Sequence, residues 1–169
     1  MDEAVCCECR ERALSLLDRR AHSVAELRRK LRKRGYAPEI VTQVLADLQR
    51  WQLLDDRRFA DEYCVYRCGG SRPYGRRRVL AELSRRGIAP EIAAEALDAF
   101  EHTEHSTEFE RAFAAGRRKW ESLCARETVP VKRREKLVRF LAGRGFASGA
   151  CYAVLEKLQS EDGCTEFEE

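Results

Sequence analysis

The sequence predicts an all-α protein of three tandem three-helix (helix-turn-helix-like) repeats in an elongated, curved arrangement. The first observation behind this is an internal repeat. ELRRKLRKRGYAPEIVTQVLADL, RVLAELSRRGIAPEIAAEALDAF and KLVRFLAGRGFASGACYAVLEKL align without gaps on Gly35, Gly87 and Gly145. Such self-similarity marks a stack of small units that bury apolar surface together. The second observation is the spacing inside each copy. Leu31, Leu83 and Leu141 stand four residues before the glycine, and Leu27, Val79 and Leu137 stand eight before. Steps of four residues trace one face of a helix. The third is the punctuation: a glycine just past the last turn tolerates a left-handed helix end, and Ala37-Pro38-Glu39 or Ala89-Pro90-Glu91 then restarts a helix.

The elements follow in order. Cys9, Ala13 and Leu16 or Leu17 give a face for a first helix. Ser23 with Glu26 is a capping-box pattern at the head of the second. Tyr36 follows the glycine, as Ile88 and Phe146 do in the other copies, and Leu45 with Leu48 places the third helix against the same core; Leu97 with Phe100 and Leu155 with Leu158 match them. Asp55-Asp56 suits the start of the next helix, where a carboxylate caps free N–H groups. Phe59, Tyr63 and Tyr66 share its apolar face and are expected in the core. Gly69-Gly70-Ser71-Arg72-Pro73 breaks the second module between its first and second helices. Phe109, Phe113, Trp120 and Leu123 give the first helix of the third. The expected modules are residues 8–52, 53–101 and 104–159, with an acidic, frayed tail at 160–169.

Composition excludes several classes. Hydrophobic residues are 44% and charged residues 36%, which fits small cores under much wet surface; the net charge is +3. No run approaches the roughly 18 apolar residues of a membrane span. Met1-Asp2-Glu3 does not open a secretory signal, so a cytoplasmic protein is expected. The eight cysteines include a cluster, Cys6, Cys7 and Cys9, and the helix-spaced pair Cys64 and Cys68. No histidine stands at ligand spacing from them, so reduced thiols are expected rather than zinc. His102 and His105 sit among glutamates and fit an acidic linker better than a metal site. No phosphate-binding glycine loop is present, and no nucleophile stands at a telling spacing from a base. No cofactor, metal or catalytic residue is expected.

The charges are sorted along the chain. Arg19 to Arg34 holds eight cations and one acid, Glu26, whereas Glu91 to Glu110 holds seven acids and no Lys or Arg. Cations gather before each glycine: Arg28, Arg29, Lys30, Arg32, Lys33 and Arg34; Arg76, Arg77, Arg78, Arg85 and Arg86; Lys132, Arg133, Arg134, Lys136, Arg139 and Arg144. A basic face repeated in three modules predicts a long positive stripe for a polyanion such as a nucleic-acid strand. Tyr74, in the break, is the aromatic left open to stack on a base. The acidic run is expected to meet a basic protein surface.

The stretch Leu53-Leu54-Asp55-Asp56-Arg57-Arg58-Phe59-Ala60-Asp61-Glu62-Tyr63, followed by Pro73-Tyr74-Gly75-Arg76-Arg77-Arg78-Val79-Leu80-Ala81-Glu82-Leu83-Ser84-Arg85-Arg86-Gly87-Ile88, resembles the signature of the RecX regulatory proteins. The resemblance runs from about Ala13 to Leu158. It implies a bacterial modulator of the RecA recombinase, active in DNA repair and the SOS response. Such proteins lie in the groove of the RecA–single-stranded DNA filament and generally inhibit its ATPase, strand-exchange and co-protease activities. They bind DNA weakly alone and have no catalytic residues. A monomer with no membrane attachment is expected. The filament- or nucleic-acid-binding residues are then expected among Arg28, Arg29, Lys30, Arg32, Lys33, Arg76, Arg77, Arg78, Arg85, Arg86, Lys132, Arg133, Arg134 and Tyr74. Asp55, Asp56, Phe59, Tyr63 and Gly75 join the three repeat glycines as the structural motif. The third repeat departs from the pattern at Ser148 and Gly149-Ala150-Cys151, which predicts a weaker last helix, since glycine costs about 1 kcal/mol against alanine inside a helix. Two rivals remain: a helix-turn-helix transcription factor and a helical-repeat scaffold that binds only protein.

Overall fold

A computed structural model describes residues 3–104 and 106–161. Among them are nine helices and no strand: α1 (Glu3–Leu17), α2 (Val24–Lys33), α3 (Pro38–Arg50), α4 (Asp56–Cys68), α5 (Arg76–Arg85), α6 (Pro90–Thr103), α7 (Glu108–Cys124), α8 (Pro130–Gly143) and α9 (Ser148–Glu161). His105 and all of the acidic tail beyond Glu161 lie outside the described residues. The described residues of Met1–Glu62 with Glu82–Ala96 form one compact unit, and those of Tyr63–Ala81 with Leu97–Glu169 form another. The first holds α1–α3 and parts of α4–α6; the second holds the remainder and α7–α9.

In the first unit, Cys9 and Ala13 of α1, Leu27 and Leu31 of α2, and Val41, Val44, Leu45 and Leu48 of α3 make one buried cluster. Each fully buried Leu or Val contributes about 1.5–3 kcal/mol. In the second unit, Leu137 and Leu141 of α8 meet Cys151, Val154 and Leu158 of α9 across α7. Small residues on α7 allow this: a Cβ on Gly116 would stand 2.8 Å from a Val154 methyl. The last helix reaches 14 residues despite Gly149, because Val154, Leu155 and Leu158 are buried. Tertiary burial outweighs the propensity cost.

Two expected apolar faces need correction. Tyr66 is 74% exposed and Tyr63 only half-buried. The buried line of α4 runs instead through Phe59, Ala60, Cys64 and Cys68. Small thiols fit that close packing at four-residue steps, whereas a tyrosine keeps its hydroxyl wet. On α7 the buried residues are Arg111, Ala112, Ala115, Gly116, Trp120 and Leu123, and Phe109 is exposed.

All three repeat glycines have positive φ: 91° at Gly35, 80° at Gly87 and 84° at Gly145. Each follows a helix whose last carbonyls are closed by the turn. Ile88 N, for example, donates to Leu83 O at 3.1 Å, and Phe146 N donates to Leu141 O at 3.3 Å. Two of the turns also receive the preceding module. In the first unit, Ser23 Oγ donates to Arg86 O at 2.5 Å, and Gly87 faces Ala25 so closely that a Cβ would overlap it. In the second unit, Gly75 N donates to Arg144 O at 3.0 Å and Arg77 N to Gly145 O at 3.2 Å, with Gly145 against Arg78. A carboxylate completes each joint. Asp56 accepts from Val24 N at 2.8 Å, and Glu108 accepts from Arg76 N at 3.0 Å. The first-turn N–H groups of α2 and α5, which a helix cannot satisfy itself, thus find partners in the next module. By contrast, nothing lies within 4 Å of a Cβ built on Gly35.

Gly35→Ala is therefore expected to cost only the left-handed penalty, about 1–2 kcal/mol. Gly87→Ala adds overlap with Ala25 and should cost a further 1–3 kcal/mol or so. Urea unfolding of the two variants checks this, and equal midpoints would show that the joint is not tightly packed.

Candidate nucleic-acid interface

The cations predicted to bind fall into two groups. Arg28, Arg29, Arg32 and Lys33 lie on the solvent side of α2, opposite the buried Leu27 and Leu31, and none makes an ion pair among the described residues. Arg77 and Lys132 are exposed in the same way, and Arg85 is exposed. The others are held within the fold. Arg76 bonds Asp98 at 2.6 Å and lies 3.8 Å from Glu101. Arg78 donates to Gly143 O at 3.2 Å and covers the Tyr74 ring. Arg86 reaches Glu26 at 2.8 Å. Lys30 donates to His22, Arg133 lies beside Cys124 and Trp120, and Arg134 faces the Gln159 amide oxygen.

The repeated basic face also needs correction. Counted from the glycine, Arg28, Arg29 and Arg32 correspond to Leu80, Ala81 and Ser84 in the second copy and to Val138, Arg139 and Ala142 in the third. Only the residue directly before the glycine is basic in all three. It is committed at two of them: Arg86 pairs with Glu26, and Arg144 donates to Arg72 O and Pro73 O at 3.3 Å. The solvent-facing cation set of α2 is thus not copied. Tyr74 is not open either, since its ring centroid has the Arg67, Arg78 and Arg144 guanidiniums at 3.9, 4.3 and 5.3 Å. The acidic run is largely spent internally as well. Glu95 pairs with Arg57, Asp98 and Glu101 with Arg76, and Glu101 with the buried Arg111 at 2.6 Å. Glu108 caps α5, and Glu110 completes a capping box with Thr107. Arg111 is 3% exposed; its one clue in the sequence is that it shares a helix face with the small residues Ala112 and Ala115.

The structural motif falls at the joint. Asp56 caps α2, Asp55 accepts from Arg57 N at 2.8 Å, Phe59 is buried, and Gly75 packs against Gly145 and Phe146. Near Asp56, Glu26 is buried with Arg20 at 3.1 Å and Arg86 at 2.8 Å. Ser23 Oγ accepts from Glu26 N at 3.0 Å, so half of the expected capping box forms while the Glu26 carboxylate serves the joint instead. Burial pushes the Glu26 carboxyl up, but the hydrogen bonds and charges of Arg20 and Arg86 together outweigh it and hold it below its usual range. Burial pushes His22 down, against a raising hydrogen bond to Arg20 O. Lys30 Nζ donates to His22 Nε2 at 2.8 Å, so Nδ1 carries the proton toward Arg20 O at 2.9 Å. Among the described residues, no three His, Cys, Asp or Glu side chains gather as a metal site, and no helix is long and apolar enough to cross a membrane.

Models of the first, second and third three-helix domains of RecX match residues 9–48, 55–97 and 106–155. The chain belongs to the RecX family. Regulatory protein RecX of Chlorobaculum tepidum is 36% identical over 146 residues, covering 86% of this chain and 85% of the relative. The Halorhodospira halophila regulatory protein RecX is 35% identical, covering 90% and 89%. A crystal structure of RecX from Lactobacillus salivarius superposes with a TM-score of 0.77 at 18% identity, over 92% of this chain and 97% of that one, and so shares the fold. RecX family membership and an all-helical fold speak for a regulatory protein rather than an enzyme.

Burial raises the Asp56 carboxyl despite its hydrogen bond from Val24 N, so loss of stability in acid at this joint falls to His22 and Glu26. Both native pKa values are lowered, so each group's stability contribution is complete above its unfolded value and fades as pH falls. For His22 the loss begins below about 6.5, and for Glu26 below about 4.5. The urea midpoint is expected to drop on acidification below about pH 6.5. His22→Gln should flatten that first part of the curve; an unchanged slope in the variant would assign it elsewhere.

Proposed function

We propose that this chain binds the RecA–single-stranded DNA filament and inhibits the ATPase, strand-exchange and co-protease activities of RecA in DNA repair and the SOS response. The observation that carries the reading is the uncommitted cation face of α2, on a chain of the RecX family. Four exposed cations that form no ion pair among the described residues keep their charge available to phosphates or to an acidic filament surface, and each phosphate neutralised releases counterions. The chain acts as a cytoplasmic monomer whose modules bridge neighbouring RecA subunits, so that filament growth or second-strand entry is blocked.

The test is RecA ATP hydrolysis on single-stranded DNA, with this protein titrated far below the RecA concentration. Inhibition at such ratios is expected, and it should weaken as salt rises. A variant carrying Arg28→Glu, Arg29→Glu and Arg32→Glu should lose at least tenfold in inhibitory potency while its melting temperature holds. Charge reversal at Arg76 or Arg78 is a poorer test, because both side chains are bonded within the fold. No inhibition even at excess protein and low salt would reject the proposal. Preference for one duplex sequence would then favour a transcription factor, and absence of DNA binding would favour a protein-only scaffold.

A further inference from the structure

The second unit holds a cleft of about 300 Å³ that has no part in the motif or in the cation face of α2. Ser71 and Arg72 of the break form one wall. Arg118, Lys119 and Ser122 of α7 form another, and Phe140 of α8 with Arg144 of the turn closes it. Four cations line it and no carboxylate does. None of the four pairs with a carboxylate among the described residues, unlike neighbouring Arg117, which lies 3.8 Å from Glu121.

The Arg118 and Arg144 guanidiniums are held in place. Arg118 Nη1 donates to Ser71 O at 3.0 Å, and Arg144 Nη1 donates to Arg72 O and Pro73 O. Arg144 also stands 4.7 Å from the Phe140 ring centroid, and Lys119 Nζ stands 5.7 Å from it. Like charges gathered without counter-charge repel one another, and an anion relieves this. Because carbonyls and an aromatic ring fix the guanidiniums beforehand, binding orders little that was free. The Ser71 and Ser122 hydroxyls make no side-chain hydrogen bond among the described residues and can donate to an oxyanion.

We propose that this cleft binds a phosphodiester of a single nucleic-acid strand, with Arg72, Arg118, Lys119 and Arg144 on the phosphate and Phe140 against the adjoining nucleoside. Its volume lies at the lower end for ligand pockets, about 300–1,000 Å³, and suits one nucleotide unit rather than a stiff duplex. A positively charged groove that tracks the backbone is a usual means of holding a single strand. The proposal rests on the reading that this chain works at a DNA-containing filament, and it adds a second, preformed contact to that strand.

The test is fluorescence anisotropy of a labelled oligothymidylate with the full chain, without RecA, across a salt series. Arg118→Ala with Lys119→Ala is compared with Arg126→Ala with Arg50→Ala, which removes the same charge from exposed positions outside the cleft. The cleft variant should bind at least tenfold more weakly. Its salt slope should fall by about 0.7, the share of the one phosphate of a single strand that is no longer neutralised. The control should stay within about twofold. Amide NMR of the intact protein separates the ligands: a thymidine dinucleotide should shift Ser122 and Phe140 at concentrations where inorganic phosphate does not. Equal losses in the two variants, or equal shifts with free phosphate, would overturn the proposal. Because RecA is absent, either result leaves the ATPase test of the preceding section to stand or fall by itself.

Discussion

The structure depends on one repeated contact: a left-handed glycine turn seated on the first turn of the preceding module's second helix. A helix start carries N–H groups with no internal partner, and burying them unpaired costs about 1–3 kcal/mol each. Here a carboxylate from the next module supplies a partner at both joints; turn carbonyls serve further N–H groups in the second unit and the Ser23 hydroxyl in the first. Asp56 serves Val24 in one unit and Glu108 serves Arg76 in the other. Only glycine meets both demands at the turn, positive φ and an approach too close for a Cβ, as at Gly87 and Gly145.

That contact governs where charge remains. Holding each joint draws in arginines and acids that a linear count would assign to the surface. Arg86 and Arg20 neutralise the buried Glu26, while Arg76 and Arg111 take up Asp98 and Glu101. A buried pair adds little net stability, but removing one partner strands the other and costs about 3–5 kcal/mol. Function is therefore sought among cations the joints do not use. The α2 face and the Arg118–Lys119 cleft are such places, and they differ in kind: the first is open to solvent, the second preformed.

The fold was legible because its signals are local. Leu27 and Leu31, the left-handed glycines and Pro38 or Pro90 each state a helix face, an end or a start. The signature around Asp55 to Tyr63 marked the family, and the structure gives it a physical meaning, since Asp56 binds α2 from far along the chain. What sequence missed is non-local. Nothing adjacent to Tyr74 shows that Arg67, Arg78 and Arg144 converge on it. Tyr66 reads as core by spacing, yet Cys64 and Cys68 fill that place because they are small. Arg118 and Lys119 stand on a helix that looked merely amphipathic, and only the return of residues 71–72 beside them makes a cleft.

Hydrogen exchange tests the joint most directly. The Gly75 and Arg77 amides donate to Arg144 O and Gly145 O, although they belong to a helix start that would ordinarily exchange fast. The first turn of α3, where Ala37 provides no side-chain cap, is the internal comparison. The account predicts that Gly75 and Arg77 are protected to nearly the level of core helical amides, while Glu39 exchanges freely. Exchange of Gly75 and Arg77 as fast as Glu39 would mean that the turn does not hold the helix start, and the account would fail.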